Sequence, residues 1–467
     1  MAQQGTAFPY TLTISNYEEK LSGEGPAPGF PLRNGMDGGD TGCMTDVPQD
    51  FSADPASYRT GQHILPVYPR YPVTFERGEG VFLYDEQGRA YLDLVSGLGV
   101  NALGHAHPRI TTVFREQAAR LVHISNFYGN RYPSELADRL CALTGMAGVF
   151  YSTGGTEAVE GAMKLARLAG REGFGDHKQA FVALHGSYHG RTFGSLSITG
   201  QAKYRDGFGP ALMDIRFVQR NDVAGLRAAM DKDVCAILLE PVQGEGGVRE
   251  CSQEFLVEAR RLADAHHALL IFDEVQCGLG RTGSWFVYEA TGVRPDVLVI
   301  GKPLGAGLPL SAFLVTEALF HTFHSGQHGS TLGGSPLACR LGLEFLSIME
   351  DEEMLPRIRR AGNYLHAQLQ GLVDDLPVAT EVRGRGLLQG LELTRPARPI
   401  TDAALEHGLL LNATQGTVLR FLPPYILEVN HIDQAMQALR KVLLAGMLPA
   451  LDTHALAPEE KADCIRK

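Results

Sequence analysis

AILLEP at residues 236–241, ALLIFDEVQ at 268–276 and VLVIGK at 297–302 are short apolar runs, each stopping at a polar residue. Continuous apolar runs of this length, rich in branched side chains and bounded by turn signals, predict strands buried on both faces. In open parallel sheets, chemistry collects outside the carboxyl ends of the strands. Those ends hold Glu240, then Asp273 with Gln276, then Lys302. Each residue alone reads as a charge at the start of a loop. Together they pair an acid that can keep a pyridine nitrogen protonated with a lysine that can form a Schiff base, which points to pyridoxal 5'-phosphate.

The surrounding sequence fits such a sheet. From residue 101 to 345, helical and strand patterns alternate across Gly-rich junctions, as in a doubly wound α/β domain. PRITTVFREQAARLVH and PSELADRLCALTG are amphipathic and open on a proline, a helix-start signal. Residues 66–100 contain VTFERGEGVFLYDEQGRAYLDL, whose alternating segments flank the turn residues Asp85 to Gly88 and predict a hairpin that packs with the C-terminal part. Residues 346–446 read as a smaller α+β domain. Residues 1–65, Gly- and Pro-rich without an apolar period, read as an irregular arm, and 447–467 as a tail.

STGGTEAVEGAMKLARLAG (Ser152 to Gly170) follows an apolar run and places a glycine pair just before an amphipathic helix. Backbone amides and the positive end of a helix favour an anion there, so Gly154, Gly155 and Thr156 form the candidate phosphate cradle. HGSTLGGSP (His328 to Pro336) offers Thr331 to the same phosphate. Two other patterns carry less. GLGRTG (Gly278 to Gly283) has dinucleotide spacing, but it does not directly follow a strand or open a helix. HTFHSGQH has no acidic or cysteine partner nearby, so no metal is expected.

The chain of 467 residues has 42 Lys+Arg against 53 Asp+Glu, a net charge of −11, with the basic residues scattered. That pattern argues against a nucleic-acid partner. No apolar run approaches the ~20 residues of a membrane span. The N-terminal residues lack a basic and apolar leader, and the seven cysteines form no CxxC pair. A cytoplasmic location is the expectation. Cys277, beside the candidate site, reads as a packed small side chain or as a reactive thiol.

These segments together resemble the class III aminotransferases of fold type I, in the acetylornithine/ornithine subgroup. The resemblance runs over SGLGVNALGHAHP (Ser96 to Pro108), STGGTEA, SYHGRTFGSLSITGQAKY (Ser187 to Tyr204), LEPVQGEGG (Leu239 to Gly247), FDEVQCGLGRTG (Phe272 to Gly283), GKPLGAGLPLSA (Gly301 to Ala312), HGSTLGGSPLA and LRFLPP (Leu419 to Pro424). It implies that Lys302 is the Schiff-base lysine, Asp273 the partner of the pyridine nitrogen and Gln276 that of the phenolic oxygen. Val275 and Tyr188 would cover the two ring faces, with Glu240 near the ring. Gly155 and Thr156 match the phosphate turn, and Thr331 the threonine supplied by the second subunit of a homodimer with shared active sites. Arg191 and Arg420 resemble carboxylate anchors, a task suited to the planar guanidinium fork, and Glu245 resembles the glutamate that masks and releases Arg420.

The expected activity is amino transfer from the distal amine of N2-acetylornithine to a 2-oxo acid, 2-oxoglutarate. SGLGV lacks the tyrosine that ornithine-type enzymes place there, whereas STGGTEAVE leans toward 4-aminobutyrate enzymes. Ornithine, 4-aminobutyrate, other ω-amino acids and polyamines therefore stay open as donors. A non-catalytic scaffold, and decarboxylase or aminomutase chemistry, are the readings of another class. The sequence departs from the family at Thr153 and Gly154, at Ser335 and at Gly301.

Overall fold

The computed structural model describes residues 63–446. The tail and all of the arm except residues 63–65 lie outside the described residues. Strands β1 (Phe75–Glu79), β2 (Phe82–Asp85) and β3 (Ala90–Asp93) form an antiparallel meander. Its second turn is at the predicted Asp85 to Gly88, where the Asp85 carboxylate accepts from the Gln87 and Arg89 amides. The first hairpin, β1–β2, is an addition to the expectation.

The large sheet has seven strands: β4 (Gly148–Ser152), β5 (Ala180–Leu184), β6 (Ile215–Val218), β7 (Val234–Leu239), β10 (Leu269–Asp273), β11 (Val297–Ile300) and β12 (Ser311–Val315). A two-stranded ribbon, β8 (Val242–Gln243) and β9 (Arg249–Glu250), leaves the end of β7. The spatial order is β4-β12-β11-β10-β7-β5-β6. Only β12 runs antiparallel to its neighbours. The short connection from β11 explains this, because a parallel return needs a long crossover.

The apolar runs are buried on both faces, as their composition requires. On β7, Ile237 and Leu239 join one hydrophobic cluster, while Ala236 and Leu238 join the other. On β10, Leu270 and Phe272 face the first cluster and Ile271 the second. The helix Gly155–Phe174 covers the second face with Ala158, Val159, Ala162 and Ala166.

The helix Pro336–Asp351 runs through residue 345, where the sequence pattern changes. The helix Met354–Asp375 then leads to β13 (Ala379–Arg385) and β14 (Leu388–Leu393). Strand β15 (Leu409–Leu410) pairs with β3, which ties the N-terminal meander to the C-terminal part. Strands β16 (Asn412–Thr414) and β17 (Val418–Phe421) complete a sheet of order β13-β14-β17-β16. No described helix is long and apolar enough to cross a membrane.

Phe272, fully buried on β10, anchors the first cluster. Phe272→Ala is expected to lower the unfolding free energy by about 3–5 kcal/mol. Ile64→Ala, at an exposed position, should stay within about 0.5 kcal/mol. Urea unfolding with an unchanged slope checks both.

Candidate active site

The carboxyl ends of β4, β5, β7, β10 and β11 meet at one edge of the sheet, so the residues after each strand converge on one cavity of about 450 Å³. Its lining includes Gly154, Gly155, Thr156, Tyr188, Arg191, Glu240, Glu245, Asp273, Val275, Gln276 and Lys302. Two candidates do not line it. Arg420, on β17, lies directly behind, hydrogen-bonded to two lining residues. Thr331 is exposed on the 328–335 loop, away from the lining.

Lys302 opens a 3-10 turn with φ of 41°, a left-handed conformation uncommon for a side-chain-bearing residue. Its Nζ makes no hydrogen bond to any described residue. Burial pushes its pKa below the usual lysine range, against the opposing pull of the Glu245 and Asp273 carboxylates. The lowered pKa favours the neutral amine, which can act as nucleophile or base.

Asp273 is buried at the end of β10, where its Oδ1 accepts from the Val275 amide at 3.1 Å. Its Oδ2 lies 2.8 Å from Nδ1 of His189, a residue that the sequence reading quoted within SYHGRT without a role. His189 is buried, its amide donates to Thr199 Oγ1, and its Nε2 has no partner among the described residues. A histidine in a loop has no period to reveal it, and its partner lies 84 residues away. The arrangement places a hydrogen-bonded acid opposite the lysine, as a basic heteroaromatic nitrogen needs.

Glu240 Oε1 accepts from the Tyr188 amide at 2.8 Å, which fixes the loop that carries Tyr188 and Arg191. Burial, and then the neighbouring Asp273 charge, raise the Glu240 pKa well above the usual carboxylate range. Gln276 Oε1 faces Arg420 Nη1 at 3.3 Å, which leaves the amide NH2 of Gln276 as a donor. Cys277 is buried and its thiol pKa is raised by that burial, so it packs rather than reacts.

At the phosphate end, Gly154 caps the helix that starts at Gly155. A Cβ on Gly155 would come 2.8 Å from Val275 Cγ1, so only glycine lets the helix end approach the wall of the cavity this closely. Thr156 Oγ1 joins a hydroxyl cluster with Ser195 Oγ at 2.6 Å and Thr192 Oγ1 at 3.1 Å. Thr153 is occupied: its hydroxyl and amide both bond Glu157. Backbone amides and the Thr156 cluster are therefore what this end offers an anion.

The anionic-substrate end has two guanidiniums. Arg191 is exposed and stacks over the Tyr204 ring at 4.0 Å, a support that the sequence reading missed. Arg420 is 1% exposed, and its Nη1 donates to Glu245 Oε1 at 2.5 Å. Burial works to raise the Glu245 pKa, but the Arg420 charge and hydrogen bond bring it below the usual range. Glu245 stays ionised near neutral pH.

The GLGRTG stretch forms turns. Arg281 within it is fully buried, donates to the Leu387 and Pro423 carbonyls, and stacks on Tyr425.

Residues 66–443 match the family described as Aminotransferase class-III. The acetylornithine aminotransferase of Aquifex aeolicus is 45% identical over 382 residues, covering 82% of this chain and 100% of that protein. The crystal structure of the ornithine aminotransferase from Toxoplasma gondii superposes with a TM-score of 0.79 at 31% identity, covering 83% of this chain and 93% of that one. The acetylornithine aminotransferase from Elizabethkingia anophelis gives 0.73 at 30%, covering 82% and 96%.

Lys302 generates a pH dependence in the cofactor-free protein. The unfolded lysine keeps its proton up to about the ordinary 10.5, whereas the buried one releases it at lower pH. Between those two values the unfolded chain binds more protons, so stability rises with pH. Lys302→Met should remove that slope and raise stability at the acid side of the window. Urea midpoints measured between about pH 7 and about pH 10 check the expectation.

Proposed function

We propose that this chain, which belongs to the class III aminotransferases, moves the distal amino group of N2-acetylornithine to 2-oxoglutarate, giving the semialdehyde and glutamate, a step of the arginine-biosynthesis type. It is a transaminase that uses pyridoxal phosphate and small-molecule amino donors and oxo-acid acceptors. The cavity fits that cofactor by its own features: a half-buried amine at Lys302 with no hydrogen bond among the described residues, an acid backed by His189, and a glycine-lined helix end.

Bound pyridoxal phosphate supplies an electron sink for the charge left when a proton leaves the donor carbon. In this proposal Lys302 covalently anchors the cofactor. Its Nζ would take the proton from the donor carbon and hand it to the cofactor's aldehyde carbon, so that the nitrogen stays with the cofactor. Asp273, oriented by His189, would pair with the ring nitrogen, and Gln276 would donate to the phenolic oxygen. Val275 and Tyr188 would cover the two ring faces, while Gly154, Gly155 and Thr156 would hold the phosphate. Glu240 lies near the ring and fixes the Tyr188 loop. Arg191 grips the carboxylate of the donor while Glu245 masks Arg420. When 2-oxoglutarate enters, Glu245 moves aside and both arginines bind a carboxylate, so one site serves both substrates.

The observation that carries the donor assignment is the wall formed by Val100, Leu308, Pro309 and Leu310. No polar side chain of the SGLGV segment lines the cavity, only Val100. A free α-ammonium would be desolvated there without a partner, whereas an acetyl methyl group would gain apolar contact. The names of the Aquifex aeolicus and Elizabethkingia anophelis relatives agree with this choice, while the Toxoplasma gondii structure is that of an ornithine aminotransferase.

The proposal includes a homodimer, in which Thr331 of each subunit reaches the phosphate of the other. Exposed Phe127, Tyr128 and Leu332, near the loop that Asn126 ties to Ser330 and Gly333, support this face as the contact. The organisation read from the sequence, with a large domain at 101–345 and a small one at 346–446, stays part of the proposal. So does a cytoplasmic location, supported by the free state of the five described cysteines.

Half-reaction rates with acetylornithine, ornithine, 4-aminobutyrate and putrescine test the donor. Acetylornithine is expected to be fastest, and any other order overturns the assignment. Lys302→Ala should lose at least about 10²–10⁴-fold in rate, together with the visible band of the bound cofactor.

A further inference from the structure

Arg420 has five N–H donors, and their partners can be counted. Nε donates to Asn412 Oδ1 at 3.0 Å, and Nη2 donates to the same oxygen at 2.6 Å. Nη1 donates to Glu245 Oε1 at 2.5 Å and to Gln276 Oε1 at 3.3 Å. One Nη2 hydrogen has no partner among the described residues. The Nε–Nη2 edge of the fork is therefore closed by Asn412, and the Nη1–Nη2 end faces Glu245.

Asn412 is placed for this by sheet register. It is the direct cross-strand partner of Arg420 in the antiparallel β16–β17 pair, so its contact does not depend on any loop. Only its carbonyl oxygen can face a guanidinium, which has donors alone. Asn412 also lines a neighbouring cavity of about 780 Å³ with Val95, Gly97 and Asn101.

We propose that Asn412 is a positioning residue for acceptor specificity: it fixes the edge of Arg420, so that Glu245 can leave while the guanidinium keeps its aim at a second carboxylate. The inference rests on the reading of Arg420 as the dicarboxylate anchor, and it adds how that anchor survives the loss of its partner. When Glu245 departs, Gln276 and Asn412 remain, and Asn412 supplies two of the three remaining bonds. With the Nε–Nη2 edge closed, the incoming carboxylate is bound end-on by Nη1 and the unpartnered Nη2 hydrogen, the bidentate mode open to arginine and not to lysine. Asn412 is uncharged, so it orients Arg420 without competing for its charge, which an aspartate there would do.

The test uses the holoenzyme, with glutarate as an unreactive dicarboxylate and valerate as a monocarboxylate, binding being read by calorimetry. Asn412→Ala is expected to raise the Kd for glutarate about tenfold or more, the scale of losing hydrogen bonds to a charged group. Valerate should change by less than about twofold, and combining Asn412→Ala with Arg420→Ala should add nothing to the loss from Arg420→Ala alone. In the second half-reaction, KM for 2-oxoglutarate should rise while that for pyruvate holds. Asn412→Asp, isosteric and keeping the acceptor oxygen, should keep the thermal midpoint and still weaken glutarate selectively. It serves as the decisive variant if the alanine form does not fold. Unchanged glutarate binding in both variants, equal loss for both ligands, or losses additive with Arg420→Ala would overturn the role of Asn412. If Arg420→Ala itself leaves glutarate binding intact, the dicarboxylate-anchor reading fails first, and the Asn412 proposal falls with it.

Discussion

Charge without water is the constraint on which this site depends. Lys302, Asp273, Glu240, Glu245 and Arg420 are held within or directly behind one small cavity, where an isolated ion would be expensive. Each is tolerable because something specific stands beside it. Arg420 is neutralised by Glu245 and framed by neutral carbonyl oxygens. Asp273 has His189 and a backbone amide. Glu240 has one amide and the repulsion of Asp273, and its raised pKa follows. Lys302 has no hydrogen bond, and its pKa is displaced in the direction that makes its lone pair available. The same desolvation that costs stability makes these groups reactive.

The sheet meets this constraint by geometry. Parallel strands deliver their carboxyl ends to one side, so residues far apart in sequence arrive within bonding distance without long loops. The apolar runs that end at Glu240, Asp273 and Lys302 are buried on both faces, which makes their terminal residues rigid. Glu245 differs: it lies between the strands of a two-stranded ribbon, and its backbone carbonyl is held by Thr414 and Gln415. A rigid backbone with one side chain pointing at Arg420 suits a group whose side chain moves while its loop stays.

What could be read from the sequence follows from the range of each interaction. Lys302, Asp273 and Glu240 were visible because they interrupt apolar runs, a local signal. Gly154 and Gly155 were visible because a glycine pair before an amphipathic helix has few other uses. His189 and Asn412 were not, because what makes each important is a single partner, one 84 residues away and one set by strand register. The antiparallel direction of β12 was equally hidden, since SAFLV has the same composition whichever way it runs. Arg191, Glu245 and Arg420 were found through their motifs; the Tyr204 ring under Arg191 was not, because stacking leaves no pattern in spacing.

The contact between Gly155 and Val275 has a further consequence. A Cβ on Gly301 would also come 3.3 Å from Val275 Cγ1, so three positions from three separate strand ends are sterically interlocked. A side chain at Gly155 would force Val275 to move, and one at Gly301 would need it to give by a few tenths of an ångström. On the donor wall, by contrast, Val100 and Leu308 are only half-buried and Pro309 is exposed. Efforts to widen the donor range, in nature or by directed evolution, therefore have their freedom on that side, and divergence among relatives with different donors should concentrate there.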